Sequence, residues 1–194
     1  MTRPLTRSQV VSSDDERLIL VDSNDRELGS SPKSECHDGD GILHRAFSLF
    51  VFNADGALLI HQRHADKRLW PLFWSNSCCS HPRAGEDMEL AVKRRLEQEL
   101  GLRASLRFMY KFEYAAAFGD IGSEHELCWV YAGTTAADPV VNTTEVAAWR
   151  WITAAALDAE LVATPERFTP WFKLEWQALR GQYRVRLEQA IRAP

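Results

Sequence analysis

The chain lacks the features that would place it in several broad classes. Its net charge is only −4 over 194 residues, so no basic surface for nucleic acid or an anionic membrane is expected. No apolar stretch approaches the roughly 20 residues of a membrane-spanning helix, and the longest run, 46–52, contains Ser48. No apolar core follows Met1-Thr2-Arg3-Pro4, so no secretory leader is expected. Cysteine is scarce, and two of the four, Cys78 and Cys79, are adjacent, which makes a poor disulfide framework. A reducing, cytoplasmic setting is the expectation. Repeats, low-complexity tracts and interdomain linkers are also missing. One domain over 16–194 is expected, behind a polar, flexible segment at 1–15.

What is present reads as strands mixed with a few helices. Residues 16–22, 44–53 and 57–63 have the composition and alternation of strands, and Asn53-Ala54-Asp55-Gly56 forms a hairpin turn between the last two. The segments 23–29 and 33–41 read as turn and irregular loop. Over 87–100, Met88, Ala91, Val92, Leu96 and Leu100 fall on one helical stripe that Gly101 terminates. Further strands are expected at 106–114, 125–133 and 148–153, and helices at 157–163 and 170–192. Several hairpin-joined strands with a few helices imply an α+β layered domain.

Residues that bind metals and move protons fall in three separated places: His37 and His44; Ser75-Asn76-Ser77-Cys78-Cys79-Ser80-His81-Pro82; and Glu124-His125-Glu126. Along a strand, alternation points Glu124 and Glu126 to one face and His125 to the other. Such clusters suggest one composite site.

Two resemblances follow. Aligned on Gly101-Leu102, the helix and its preceding loop resemble the Nudix box through Glu86, Arg94, Leu96 and Glu99. Ser80 stands at its first glycine, and Arg95 and Gln98 replace two carboxylates that help hold magnesium for diphosphate hydrolysis. The chain also resembles type I isopentenyl-diphosphate delta-isomerases, which share that departure. The matching pieces are Leu43-His44-Arg45-Ala46-Phe47-Ser48, Trp70-Pro71-Leu72-Phe73-Trp74, the Ser75–Pro82 string, Glu124-His125-Glu126-Leu127-Cys128 and Phe168-Thr169-Pro170-Trp171, in family order.

The resemblance implies a Nudix-like α/β/α sandwich with a mixed central sheet. It implies double-bond isomerisation between isopentenyl and dimethylallyl diphosphate, with a Nudix-type diphosphate hydrolase as the alternative activity. Cys79 and Glu126 match the two proton-transfer groups, Tyr114 a tyrosine bonded to that glutamate, and Trp171 an aromatic that faces developing positive charge. His37, His44, His81, Glu124 and Glu126 match the ligands of one divalent ion, manganese, magnesium or zinc. Glu99 and the Cys79 backbone carbonyl match those of a second, magnesium, arriving with the substrate. Lys33, Arg63, Lys67 and Arg95 match diphosphate contacts. The expected partner is the small-molecule substrate alone, with the chain a monomer or weak homodimer. Cys78, His61 and His64 are expected to be structural.

Overall fold

The structure is a computed structural model that describes residues 8–192. Residues 1–7 of the expected flexible segment lie outside the described residues. Those at 8–14 form no regular element but are hydrogen-bonded across the candidate site, as described below.

A nine-stranded mixed sheet organises the chain. At its centre is β3 (His44–Phe52), after β1 (Arg17–Val21), β2 (Glu27–Pro32) and the one-turn helix α1 (Lys33–Cys36). Strand β3 is buried on both faces, as suits a strand with helices above and below. Ala46, Phe50 and Phe52 enter one apolar cluster, while Phe47, Leu49 and Val51 enter another on the opposite face. The sheet continues with β4 (Leu58–Arg63), β5 (Trp74–Ser75), β6 (Cys78–Ser80), β7 (Ser105–Ala117), β8 (Ser123–Thr134) and β9 (Val146–Ile152). Strand β8 runs parallel to β3 from His44↔Glu126 to Phe52↔Thr134. Strand β6 runs antiparallel to β3 from Phe47↔Ser80 to Leu49↔Cys78.

One face is covered by α2 (Met88–Leu100). Asp87 caps it by accepting from the Glu89 and Leu90 amides at 2.9 and 3.2 Å, and Gly101 closes it in the left-handed conformation at φ 65°. The other face is covered after α3 (Ala154–Ala163) by α4 (Pro170–Arg180) and α5 (Arg184–Arg192). Helices on both faces of a mixed sheet are the expected α+β sandwich.

Three expectations change. Residues 27–29, read as the end of a turn and loop, open β2, because backbone pairing with β1 from Arg17↔Pro32 to Val21↔Glu27 outweighs the poor strand composition of 27–32. Within 33–41, read as irregular, Lys33–Cys36 makes one helical turn. The single helix expected over 170–192 breaks at Gly181, and the break lets Tyr183 stack on Tyr110 with centroids 4.2 Å apart.

Candidate active site

The parallel register of β3 and β8 sets His44 beside Glu126, and Glu124 projects from the same face of β8 two residues earlier. His81 follows directly on β6. His37 is brought in by a close backbone approach: the Ser123 amide donates to the His37 carbonyl at 3.0 Å. Gly122 permits this, since a Cβ there would lie 2.3 Å from the His37 carbonyl oxygen and φ is +153°.

The five side chains converge so that one ligand atom of each lies within 4.8 Å of the others. His37 Nε2 is 2.8 Å from Glu124 Oε2, and His81 Nε2 is 2.8 Å from Glu126 Oε1. His37 and His44 each place Nδ1 2.7 Å from a backbone carbonyl, of Lys33 and Ile42. A carbonyl only accepts, so Nδ1 carries the proton and Nε2 offers its lone pair to the cluster. His37 Nε2, His44 Nε2 and Glu124 Oε2 are buried with no hydrogen-bond partner among the described residues. Buried acceptors converging without hydrogen bonds are what a cation satisfies. Three imidazoles with two carboxylates suit zinc or another divalent ion, so the residues present fit the ion expected here. Burial works against the charge on Glu124 and Glu126. An imidazolium at His37 beside Glu124, and one at His44 with the Tyr114 hydroxyl beside Glu126, outweighs it and holds both carboxyls below their ordinary range; with the lone pairs turned inward, a cation takes that role.

This cluster opens onto a cavity of about 530 Å³ lined by Cys79, Tyr114, Glu126, Leu69 and Trp171, among others. Cys79 sits on β6 opposite Ser48. Burial pushes its thiol up to about 12, so it is protonated at neutral pH. Cys78, its neighbour, faces the opposite way into the cluster under α2, as expected of a packing residue. The Tyr114 hydroxyl donates to Glu126 Oε2 at 2.7 Å. Trp171 stands in the first turn of α4, started by Pro170. Its indole N–H donates to Ser75 Oγ at 3.1 Å, and Trp70 meets its ring edge-on at 5.2 Å.

A second polar centre lies on the α2 side of the same cavity. Arg95 and Glu99, one turn apart on α2 and both buried, form an ion pair, and Arg95 lies 3.6 Å from Glu145. Lys67 is ion-paired with Glu145. Burial opposes charge on Glu99, but the Arg95 guanidinium and then Lys67 hold its carboxyl below the ordinary range. Burial, with Lys67 and Arg95 nearby, pulls the Lys33 ammonium down. The segment 8–14 crosses this centre: Lys33 Nζ donates to Ser12 Oγ at 2.6 Å, Arg95 Nη1 to the Val11 carbonyl at 2.5 Å, and Asn142 Nδ2 to the Gln9 carbonyl at 2.8 Å. Arg63 lines the cavity too, but its guanidinium donates to the Leu69 and Trp70 carbonyls and lies 5.4 Å over the Trp171 ring. The remaining Nudix-box matches are structural here. Arg94 makes a two-pronged pair with Glu86 at 2.6 and 2.7 Å and donates to Gln98 at 3.2 Å.

The residues singled out in the sequence therefore meet around one cavity. His44 and Glu99 stand just behind its lining. His125 faces away and pairs with Glu113 at 3.3 Å. His61 is buried, donates from Nδ1 to the Asn76 carbonyl at 2.6 Å and is pushed by burial down to about 4. Sequence reasoning missed Glu145, Ser12 and Val11. Glu145 ends the polar stretch Asn142-Thr143-Thr144-Glu145, and no motif marks it. The contacts of Ser12 and Val11 are made by residues far away in the chain.

The chain is similar to known proteins in sequence and in fold. The NUDIX domain family matches residues 42–172. An "Isopentenyl-diphosphate Delta-isomerase 1" of Photorhabdus laumondii is 43% identical over 83% of this chain and 93% of its own. An "Isopentenyl-diphosphate Delta-isomerase" of Frankia alni is 38% identical over 92% of this chain and 93% of its own. Among solved structures, a Deinococcus radiodurans protein superposes with a TM-score of 0.64 at 25% identity, covering 77% of this chain and 90% of its own. A MutT protein of Methanosarcina mazei, at 13% identity over 72% of this chain and 94% of its own, shares the fold with a TM-score of 0.60.

Proposed function

The chain belongs to the isopentenyl-diphosphate Delta-isomerase family of NUDIX-domain proteins, and on that footing we propose how its residues carry the reaction. The enzyme interconverts isopentenyl and dimethylallyl diphosphate. The alkene must gain a proton at its terminal carbon and lose one at the allylic carbon, which calls for an acid and a base on two sides of a dry cleft. Cys79 and Glu126 are those groups. The observation that carries this assignment is that both project into one cavity, with Glu126 held by Tyr114 at one oxygen and by His81 at the other.

His37, His44, His81, Glu124 and Glu126 hold one divalent ion, manganese, magnesium or zinc. Such an ion, when bound, supplies fixed positive charge that sets the orientation and proton affinity of Glu126. Glu99, with the Cys79 backbone carbonyl, serves the magnesium that accompanies the diphosphate. Lys33, Arg63, Lys67 and Arg95 neutralise the diphosphate, and doing so requires rearranging the pairs they make here with Ser12, the 69–70 carbonyls, Glu145 and Glu99. The Trp171 face lies against the part of the cavity where a carbocation develops.

The alternative, ordinary Nudix hydrolysis, is disfavoured. Arg95 turns a metal-ligand position into a cation paired with Glu99, and Gln98 is engaged by Arg94. No described helix is long and apolar enough to cross a membrane. A cytoplasmic enzyme acting as a monomer or weak homodimer on a free small molecule is the accompanying proposal. Proton NMR of metal-loaded protein with isopentenyl diphosphate tests the reading. Dimethylallyl diphosphate is the expected product, and release of the monophosphate would favour the hydrolase.

A further inference from the structure

Glu175 lies on α4, one turn beyond Trp171, and is completely buried. Phe50 of β3 and, from the same helix, Phe172 and Trp176 belong to the apolar cluster on this face of the sheet. In this apolar setting it keeps a carboxyl. The Cys128 thiol lies 3.5 Å from both Glu175 Oε1 and Ser48 Oγ, and Ser48 is near enough to the carboxyl to oppose part of the effect of burial. Glu175 Oε2 is buried without a partner among the described residues. The polar groups facing it are Ser48 from β3, Cys128 and Glu126 from β8, and Tyr110 from β7, whose hydroxyl donates to the Glu175 backbone carbonyl at 3.3 Å. None of these is a cation. Burial drives the carboxyl up to about 8, so at neutral pH it carries its proton.

Strand register ties this trio to the reacting pair. Ser48 is the cross-strand partner of Cys79, so their side chains share a face with Cβ atoms about 5 Å apart. Cys128 follows Glu126 by two residues on the same face of β8. A buried acid that packing alone would replace with a hydrocarbon thus sits beneath both proton-transfer groups.

The reaction itself gives such an acid a task. When the double bond moves, a C–H bond forms with the proton of one member of the pair, and another C–H bond breaks as its proton passes to the other member. The substrate's atoms balance, but the first group ends one proton short and the second one proton long. The next turnover in the same direction requires that proton to return.

We propose that Glu175 restores this balance through Ser48 and Cys128. Its O–H bond breaks as a proton passes to the depleted group, and its carboxylate then takes up the surplus proton from the other. Glu175 ends unchanged, with no co-reactant. It touches no substrate and is a positioning residue; what it positions is a proton.

The proposal rests on the isomerase reading, and the experiment separates the two. Metal-loaded protein is mixed with isopentenyl diphosphate and quenched on the millisecond scale. Wild type forms dimethylallyl diphosphate with first and later turnovers at one rate. In Glu175→Gln, which keeps shape but has no carboxyl proton to give, the first equivalent forms at the wild-type rate. Later turnovers then slow by about tenfold or more. Ser48→Ala, a smaller change with less risk to folding, gives the same burst. Infrared spectra at neutral pH contain a protonated-carboxyl band in wild type that Glu175→Gln lacks. Equal slowing of first and later turnovers would reduce Glu175 to a structural role and overturn the proposal. So would unchanged steady turnover in both variants, or absence of the band. A wild type that makes no dimethylallyl diphosphate while keeping the band would instead overturn the isomerase reading.

Discussion

The cavity has two buried polar ends. At one, His37, His44, His81, Glu124 and Glu126 turn acceptors inward, and three of those atoms have no hydrogen-bond partner among the described residues. At the other, Arg95 and Lys67 are already paired with Glu99 and Glu145, and Lys33 with Ser12. The first end is held by strands in fixed register, with backbone carbonyls fixing two of the imidazoles. The second is held by one helix, a loop and an extended segment. The strand-built end is preorganised and short of a cation. The helix-and-loop end is self-neutralised, and an anion there must compete with Glu145 and with the 8–14 segment. A resident ion suits the first end and an arriving diphosphate the second.

Breaking the strand-built end should have the largest effect. Cys79→Ala and Glu126→Gln should each abolish detectable isomerisation in a folded protein, and Glu126→Gln should also lose the divalent ion by elemental analysis. Cys78→Ala, a change on the opposite face, should stay active; an inactive Cys78→Ala beside an active Cys79→Ala would shift the assignment by one residue. Next comes Gly122→Ala, which replaces no ligand. Its Cβ would collide with the His37 carbonyl, so His37 must move, and metal affinity should fall about 10–100-fold. Unchanged affinity would mean that His37 is dispensable.

Trp171 lies between the two ends. An indole face beside a developing carbocation contributes on the order of 2 kcal/mol when water is excluded. Trp171→Ala should therefore lose about one to two decades of turnover, with Trp171→Phe intermediate. The loss should fall on kcat, because the charge is absent from bound substrate. A rise in KM at normal kcat would leave Trp171 as a wall of the cavity only. The smallest effect is expected at the self-neutralised end. Glu145→Gln removes a carboxylate that competes for Lys67 and Arg95, so KM for isopentenyl diphosphate should fall by a few-fold. That is less than the tenfold worth about 1.4 kcal/mol. A raised KM would show that Glu145 holds the cations in place rather than competing for them.

Much of the strand-built end could be read in the sequence. Glu124 and Glu126 share a face through strand alternation alone, and the Ser75–Pro82 string placed Cys79 and His81 two residues apart. The stripe of α2 and its stop at Gly101 were equally plain, because helical periodicity and capping are local. Less of the second end was legible. Arg95 was marked by the departure from the Nudix box, but Glu145 and residues 11–12 carry no local signal. Strand β2 was missed for the same reason, whereas the break at Gly181 had a local signal, the glycine itself, that the reading of 170–192 as one helix passed over.

The sequence by itself determined the residue types, the alternation that sorts side chains between sheet faces, and the family resemblance that assigns their roles. Tertiary structure decided the rest. Only the parallel register of β3 with β8 brings His44 to Glu126, and only the close approach at Gly122 brings His37 to Glu124. Burial then sets the chemistry of identical side chains. Beside imidazoles and a tyrosine hydroxyl, Glu126 is held below the ordinary carboxyl range, whereas Glu175, on the same face but with no basic side chain against it, is driven up to about 8. A side chain's charge depends on what surrounds it after the chain has closed on itself, and that environment is non-local.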